Sequence, residues 1–152
     1  MNKIFVREVR NKITNPLTVL ENDNIEYIAD KFLSSPINRT IYVVDNNSKF
    51  LGYITVKNFL KIILLDMVDY SVYKDISQEA YIYGKLGNIS KAKDIMIEED
   101  IFVYDNDNLE KVISIMHNFS LQELPVINKD RTLIGDLNIH EIIYGWKIRR
   151  KS

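Results

Sequence analysis

The 152-residue chain carries 20 basic against 21 acidic side chains, so its net charge of −1 gives no global field to recruit nucleic acid or an anionic membrane. At 46% hydrophobic and 27% charged it has the composition of a globular protein, with room for one ordinary domain or two very small ones. The absence of cysteine excludes a disulfide framework, a thiolate zinc site and a cysteine nucleophile.

The opening MNKIFVREVRNK places charges where a signal peptide needs an apolar stretch, so the expected location is the cytoplasm. Leu17 to Leu20 is a short β-prone stretch. Asp23 followed by Glu26 resembles the capping box of a helix start, and Ile25, Ile28, Ala29, Phe32 and Leu33 then form one apolar stripe at helical spacing. TIYVV (40–44) and FLGYIT (50–55) read as two strands joined by the turn-rich DNNSK, and a helix follows from about Val56. The greasiest run, FLKIILLDMV, contains Lys61 and Asp66 and is too short to span a bilayer. A connector of about 67–90 follows, with Tyr70, Tyr73, Tyr81 and Tyr83; it suits a helical packing segment, or an aromatic contact surface for a partner or a base.

The same order then recurs. ENDNIE at 21–26 returns as DNDNLE at 105–110, an offset of 84, and residues 41–60 align with 124–143 at an offset of 83. Ile101 to Tyr104 is the second β-prone start, Asp107 and Glu110 the second helix signal, and Leu109, Val112, Ile113 and Met116 the second stripe. LPVI and LIGDL form the second strand pair, with a helix from about Ile139. The reading is an α/β (α+β) chain of two tandem β-α-β-β-α repeats, 1–66 and 91–152, joined by the connector 67–90. A unit of about 60 residues hides little apolar surface alone, so the repeats are expected to pack sheet to sheet as one pseudo-twofold module. The helix bearing Phe59, Leu60, Ile62, Ile63, Leu64, Leu65, Met67 and Val68 is apolar on more than one face, which predicts a homodimer with the final helices near its interface.

No catalytic or nucleotide-loop signature of the Gly-x-Ser-x-Gly, Walker or Gly-x-Gly-x-x-Gly kind occurs, and the two histidines, His117 and His140, lack metal-ligand spacing. His117 aligns with Leu33 on the stripe and is expected to be half-buried and satisfied. The basic tail WKIRRKS suits a solvated helix end.

Over roughly 6–66 and 91–148 the chain resembles the paired cystathionine-β-synthase (CBS) domain, the Bateman module. The residues that carry the resemblance are VREV and AKDIM ahead of the repeats, YVVDNNSKFLGYIT in the first, and ELPVINKDRTLIGDL in the second. Within the last, Pro125, Val126 and Gly135 match a fairly specific pattern, whereas Tyr42 stands where the first repeat would have the proline. The resemblance implies a non-catalytic ligand sensor that dimerises, often into a flat disc. It would bind adenine nucleotides (AMP, ADP or ATP), S-adenosylmethionine or a cyclic dinucleotide such as cyclic di-AMP in clefts between the repeats. It further implies a Gly-h-x-Thr/Ser-x-x-Asp motif whose carboxylate holds a ribose, beside a helix amino end suited to phosphate.

Both copies depart from that motif. The first keeps Thr55 but has Asn58 for the aspartate, a change from a charged to a neutral acceptor of about 1–2 kcal/mol. The second has Asn138 for the hydroxyl residue and Glu141 for the aspartate. The first cleft is therefore the preferred site, with Lys57 and Arg39 as phosphate candidates, and Asn138 and Glu141 are the candidates of the second. The expected function is regulatory, relaying ligand binding to an effector protein that the sequence does not name. The rival reading is a ligand-free assembly module with degenerate sites.

Overall fold

The computed structural model describes residues 3–67 and 89–151; the connector tyrosines Tyr70, Tyr73, Tyr81 and Tyr83 lie outside them. In chain order the elements are α1 (Val6–Val9), β1 (Leu17–Leu20), α2 (Ile25–Ser34), β2 (Thr40–Val44), β3 (Phe50–Thr55) and α3 (Val56–Met67). After the connector come α4 (Ala92–Ile95), α5 (Leu109–Phe119), β4 (Glu123–Ile127), β5 (Leu133–Asn138) and α6 (Ile139–Lys151).

In the first repeat β1 runs parallel to β2 from Leu17↔Ile41 to Leu20↔Val44, and β2 pairs antiparallel with β3. In the second repeat β4 and β5 make the same hairpin, but the strand expected at Ile101–Tyr104 shrinks to a single parallel bridge, Val103↔Val126. Proline explains the difference. Val103 N–H donates to the Pro125 carbonyl and Ile127 N–H to the Val103 carbonyl, each at 3.0 Å. The amide of residue 125 would face the same side and reach for the carbonyl of Ile101, but proline has none to give. Tyr42 occupies that position in the first repeat, where the ladder continues.

Both long helices begin one residue later than the sequence pattern suggests. Asn24 Oδ1 accepts from Tyr27 N–H at 2.8 Å and Asn108 Oδ1 from Lys111 N–H at 3.0 Å, so the asparagines are the N-caps. Asp23 and Asp107 instead turn back, accepting from Leu20 N–H (2.7 Å) and Tyr104 N–H (2.8 Å) and closing the turn ahead of each helix. Of the stripes, Ile28 and Val112 are fully buried, whereas Leu33 and Ile113 face solvent. His117 is also exposed, not half-buried as its place on the stripe suggests, because the helix has turned it to the outer side like Leu33.

The repeats exchange their lead-in segments. Val6 and Arg7 N–H donate to the carbonyls of Asp107 and Asp105, and Ile4, Val6 and Val9 sit in the core of the second repeat with Val103, Leu109, Val112, Leu124 and Leu137. Reciprocally, Ala92 and Lys93 N–H donate to Asp23 and Glu21, and Ala92 joins Val19, Ile28, Ile41, Ile54 and Phe59 in the core of the first. Glycines make room for this crossing. A Cβ at Gly52 would meet the Ile97 carbonyl oxygen at 2.6 Å, and one at Gly135 would meet the Asn11 side chain at 2.7 Å.

A third cluster joins the halves. Tyr42, Phe50 and Tyr53 from the first hairpin pack with Ile127 from the second, flanked by Ile97, Phe102, Leu121 and Leu133. At the turn end the hairpins also bond to each other, Phe50 N–H to the Arg131 carbonyl and Leu133 N–H to the Ser48 carbonyl, each at 2.9 Å.

Candidate functional site

Two helix amino ends lie where the repeats meet, and their surroundings differ. At the first, the pairing Thr40↔Thr55 brings Arg39 beside the start of α3. Val56 N–H donates to the Arg39 carbonyl at 2.9 Å, and Asn58 N–H donates to Thr55 Oγ1 at 3.1 Å. Thr55 is therefore an N-cap, and its hydroxyl hydrogen remains a donor. Thr55 and Asn58 are half-buried, while Arg39 and Lys57 are exposed. All the first-cleft candidates, Arg39, Thr55, Lys57 and Asn58, thus gather at one half-open helix end with a positive dipole and two cations.

At the second end the side chains are consumed by the chain itself. Asn138 N–H donates to Glu141 Oε1 at 2.9 Å and Glu141 N–H to Asn138 Oδ1 at 3.0 Å, a reciprocal capping box. The other carboxyl oxygen of Glu141 accepts from Ile13 N–H at 3.1 Å, and Asn138 Nδ2 donates to Thr14 at 2.9 Å. Both residues are buried, and the 12–14 segment lies over them. Replacing the expected threonine and aspartate by Asn138 and Glu141 has converted this helix end into an anchor for the chain that leads into β1.

Between the two ends lies a group of acids that motif reasoning missed. Glu123, the first residue of β4, reaches across the seam and its Oε1 accepts from Arg39 N–H. Asp136 of β5 is fully buried beside it, and Tyr42 faces them from β2. Burial, then a hydrogen bond with Glu123, then the charges of Glu123 and Glu141 push the Asp136 carboxyl up to about 9. Burial also raises Glu123, opposed by the Arg39 amide bond, and raises Glu141 against the amide of Ile13. The Tyr42 phenol is pushed well above its usual range by burial and by the same acids. A signal existed in the sequence: a charge inside each of the strands ELPVI and LIGDL, at alternating positions that face the partner sheet. Among the described residues no group of three or more His, Cys, Asp or Glu side chains is arranged to hold a metal ion.

The family model for the CBS domain matches the chain twice, over residues 6–65 and 92–145. The chain belongs to the CBS domain family. As a CBS pair it is similar to a CBS domain-containing protein of Thermotoga maritima, with 28% identity, a TM-score of 0.74 and 97% of each chain covered. The CBS domain pair of protein MJ0100, solved with 5′-methylthioadenosine and S-adenosyl-L-methionine, is 19% identical with a TM-score of 0.72 over 97% of this chain and 99% of that one. CBSX2, solved with AMP, is 18% identical with a TM-score of 0.74 over 97% and 98%. These last two show the shared fold. Among curated proteins, a homoserine O-acetyltransferase of Methanococcus vannielii is 29% identical over 125 residues, 82% of this chain but 22% of that protein. The chain therefore spans about a fifth of the length of that relative. No helix among the described residues is long and apolar enough to cross a membrane.

Proposed function

We propose that this CBS pair is a regulatory, non-enzymatic ligand sensor that takes an adenine-containing nucleotide, AMP-like by preference, at the amino end of α3. The observation that carries the reading is the asymmetry of the two helix ends. At α3 the cap donor Thr55 stays half-open beside exposed Arg39 and Lys57; at α6 the equivalent polar groups are buried under residues 12–14. Arg39 and Lys57 would take the phosphate, Thr55 and Asn58 the ribose hydroxyls, with Asn138 and Glu141 acting through the fold. AMP in CBSX2, and methylthioadenosine with S-adenosylmethionine in MJ0100, support an adenosine-bearing ligand. Because both repeats contribute to the seam, a bound nucleotide would bias their relative angle and pass that bias to an effector protein. The working unit would be a cytoplasmic homodimer closed through α3 and α6.

Thermal denaturation with AMP, ADP, ATP, S-adenosylmethionine and cyclic di-AMP tests this directly. A ligand at about 100 times its dissociation constant stabilises by about 2.7 kcal/mol. Arg39→Ala and Lys57→Ala, at exposed positions, should each reduce the shift while leaving the unliganded midpoint in place. Midpoints that no ligand moves would instead favour the second reading, an assembly module without ligand, which the buried capping box at α6 supports.

A further inference from the structure

The acids at the seam belong to neither helix end as a ligand group, yet they are ionisable groups buried in the interior. Glu123 and Asp136 project from the same face of the β4–β5 hairpin, since Pro125 pairs with Asp136 and Glu123 lies two residues before it. They are 2% and 0% exposed, and their carboxyls lie within hydrogen-bonding reach of each other. Among the described residues, both oxygens of Asp136 and the second oxygen of Glu123 are nonetheless buried without a hydrogen-bond partner, as is the Tyr42 hydroxyl. Among the described residues, the groups that face the pair offer no countercharge. Tyr42 comes from β2 and Glu141 from α6, while the approach to β2 contributes only the amides of Arg39 and Thr40. The ion pairs Arg10–Asp105, Lys111–Asp107 and Arg131–Asp100 do not include them.

Two ionised carboxylates side by side in such a place combine like-charge repulsion with the full desolvation cost. One proton removes the repulsion and one of the two desolvation costs, and the carboxylic acid it creates supplies the donor that the pair lacks. We infer that Glu123 and Asp136 share a single proton, and that this proton keeps the two repeats closed against each other at the seam. Glu123 spans the seam through the Arg39 amide, and the Arg39 carbonyl in turn holds the first amide of α3. Ionisation of the pair therefore loosens the contact on which the open helix end is built, so the module is a proton-dependent switch as well as a candidate ligand sensor.

The direction follows from linkage. Asp136 is raised from an ordinary 3.8 to about 9, so between those values the folded chain holds a proton that the unfolded chain has released. The stabilisation is complete below the ordinary carboxyl range and is lost as pH rises toward 9.

Urea unfolding of the full chain between about pH 5.5 and about pH 8.5, beside the Asp136→Asn variant, tests the idea. The wild-type midpoint should fall with rising pH, and the variant, which keeps a neutral donor at 136, should show a flatter profile and exceed the wild type at the alkaline end. Parallel profiles would overturn the proposal. Should Asp136→Asn fail to fold, carbon-13 titration of the wild-type Asp136 carboxyl decides: a transition above about pH 7 supports the shared proton, and one in the ordinary carboxylate range near 4 refutes it.

Discussion

Lys49 and Thr132 stand opposite each other as an antiparallel bridge between the repeats, and they are the same residue of the repeat unit, 83 positions apart. The pseudo-twofold axis runs between them. Their neighbours obey it too: Ser48 (φ 62°) and Arg131 (φ 64°) are both left-handed, and each offers its carbonyl to the first residue of the last strand in the opposite repeat. Asp45 and Asn128 fold the two turns alike, each taking two backbone amides on one side-chain oxygen.

Phe50, beside this axis and 2% exposed, packs against Tyr42 and belongs to the cluster shared by both halves. Phe50→Ala should cost about 3–5 kcal/mol, because the cavity opens in a place that neither repeat can fill alone. Chemical denaturation followed by both fluorescence and circular dichroism measures the loss. It should also show whether the halves then unfold separately, as non-coincident transitions would reveal.

Gly52 carries the crossing of the lead-in segment over β3, where Tyr53 and Ile97 exchange backbone bonds of 3.0 and 2.8 Å. A methyl group there would press on the Ile97 carbonyl oxygen, which is backbone and cannot swing away. Gly52→Ala should destabilise by about 1–3 kcal/mol by overpacking, despite the ordinary φ of this residue. Differential scanning calorimetry checks the magnitude, and an unchanged midpoint would mean that 92–97 is free to lift.

Glu141 is expected to act as a strut for the N-terminal segment. Glu141→Gln retains one acceptor oxygen but turns an amide NH₂ toward one of the two backbone donors that the carboxylate satisfies, Asn138 and Ile13. The loss should be about 1–3 kcal/mol, with faster amide exchange at Ile13 as the local readout. Asn58→Ala, at the equivalent position of the other repeat, should cost far less, since Asn58 is half-buried and its bond to Thr55 is made by the backbone.

Leu60, Leu64 and Met67 on α3 and Ile143 and Trp146 on α6 are exposed on the single chain, at 58%, 48%, 77%, 55% and 55%. If α3 and α6 close a homodimer, Leu64→Glu together with Ile143→Glu should halve the mass seen by light scattering without shifting the circular dichroism spectrum. An unchanged mass would place the dimer contact elsewhere, and a monomeric wild type at micromolar concentration would remove it.

The hairpins, the long helices and the duplication are legible in the sequence because each rests on periodicity or turn chemistry repeated at a fixed offset. The caps lie one residue beyond the sequence pattern because Asp-Asn doublets offer two oxygens of similar reach, and only the backbone geometry decides which one meets the N3 amide. The exchange of VREV and AKDI is hidden because four-residue helices carry no periodic signal and their partners lie about 70 to 100 residues away. At the candidate site, the gathering of Arg39, Thr55, Lys57 and Asn58 follows from strand–turn–helix order alone. The closure of Asn138 and Glu141 does not, since it needs the crossing strand of chain at 12–14 that only tertiary structure supplies.

That crossing bears on what an evolutionary or experimental cut through the connector would produce. Severing the chain there separates two polypeptides, neither of which carries its own lid: Ile4, Val6 and Val9 leave with the wrong partner, and so does Ala92. Each fragment would expose an uncovered core until it met the other, so the fragments are obliged to recombine, and an ancestral single repeat would have needed a second molecule of itself to be complete.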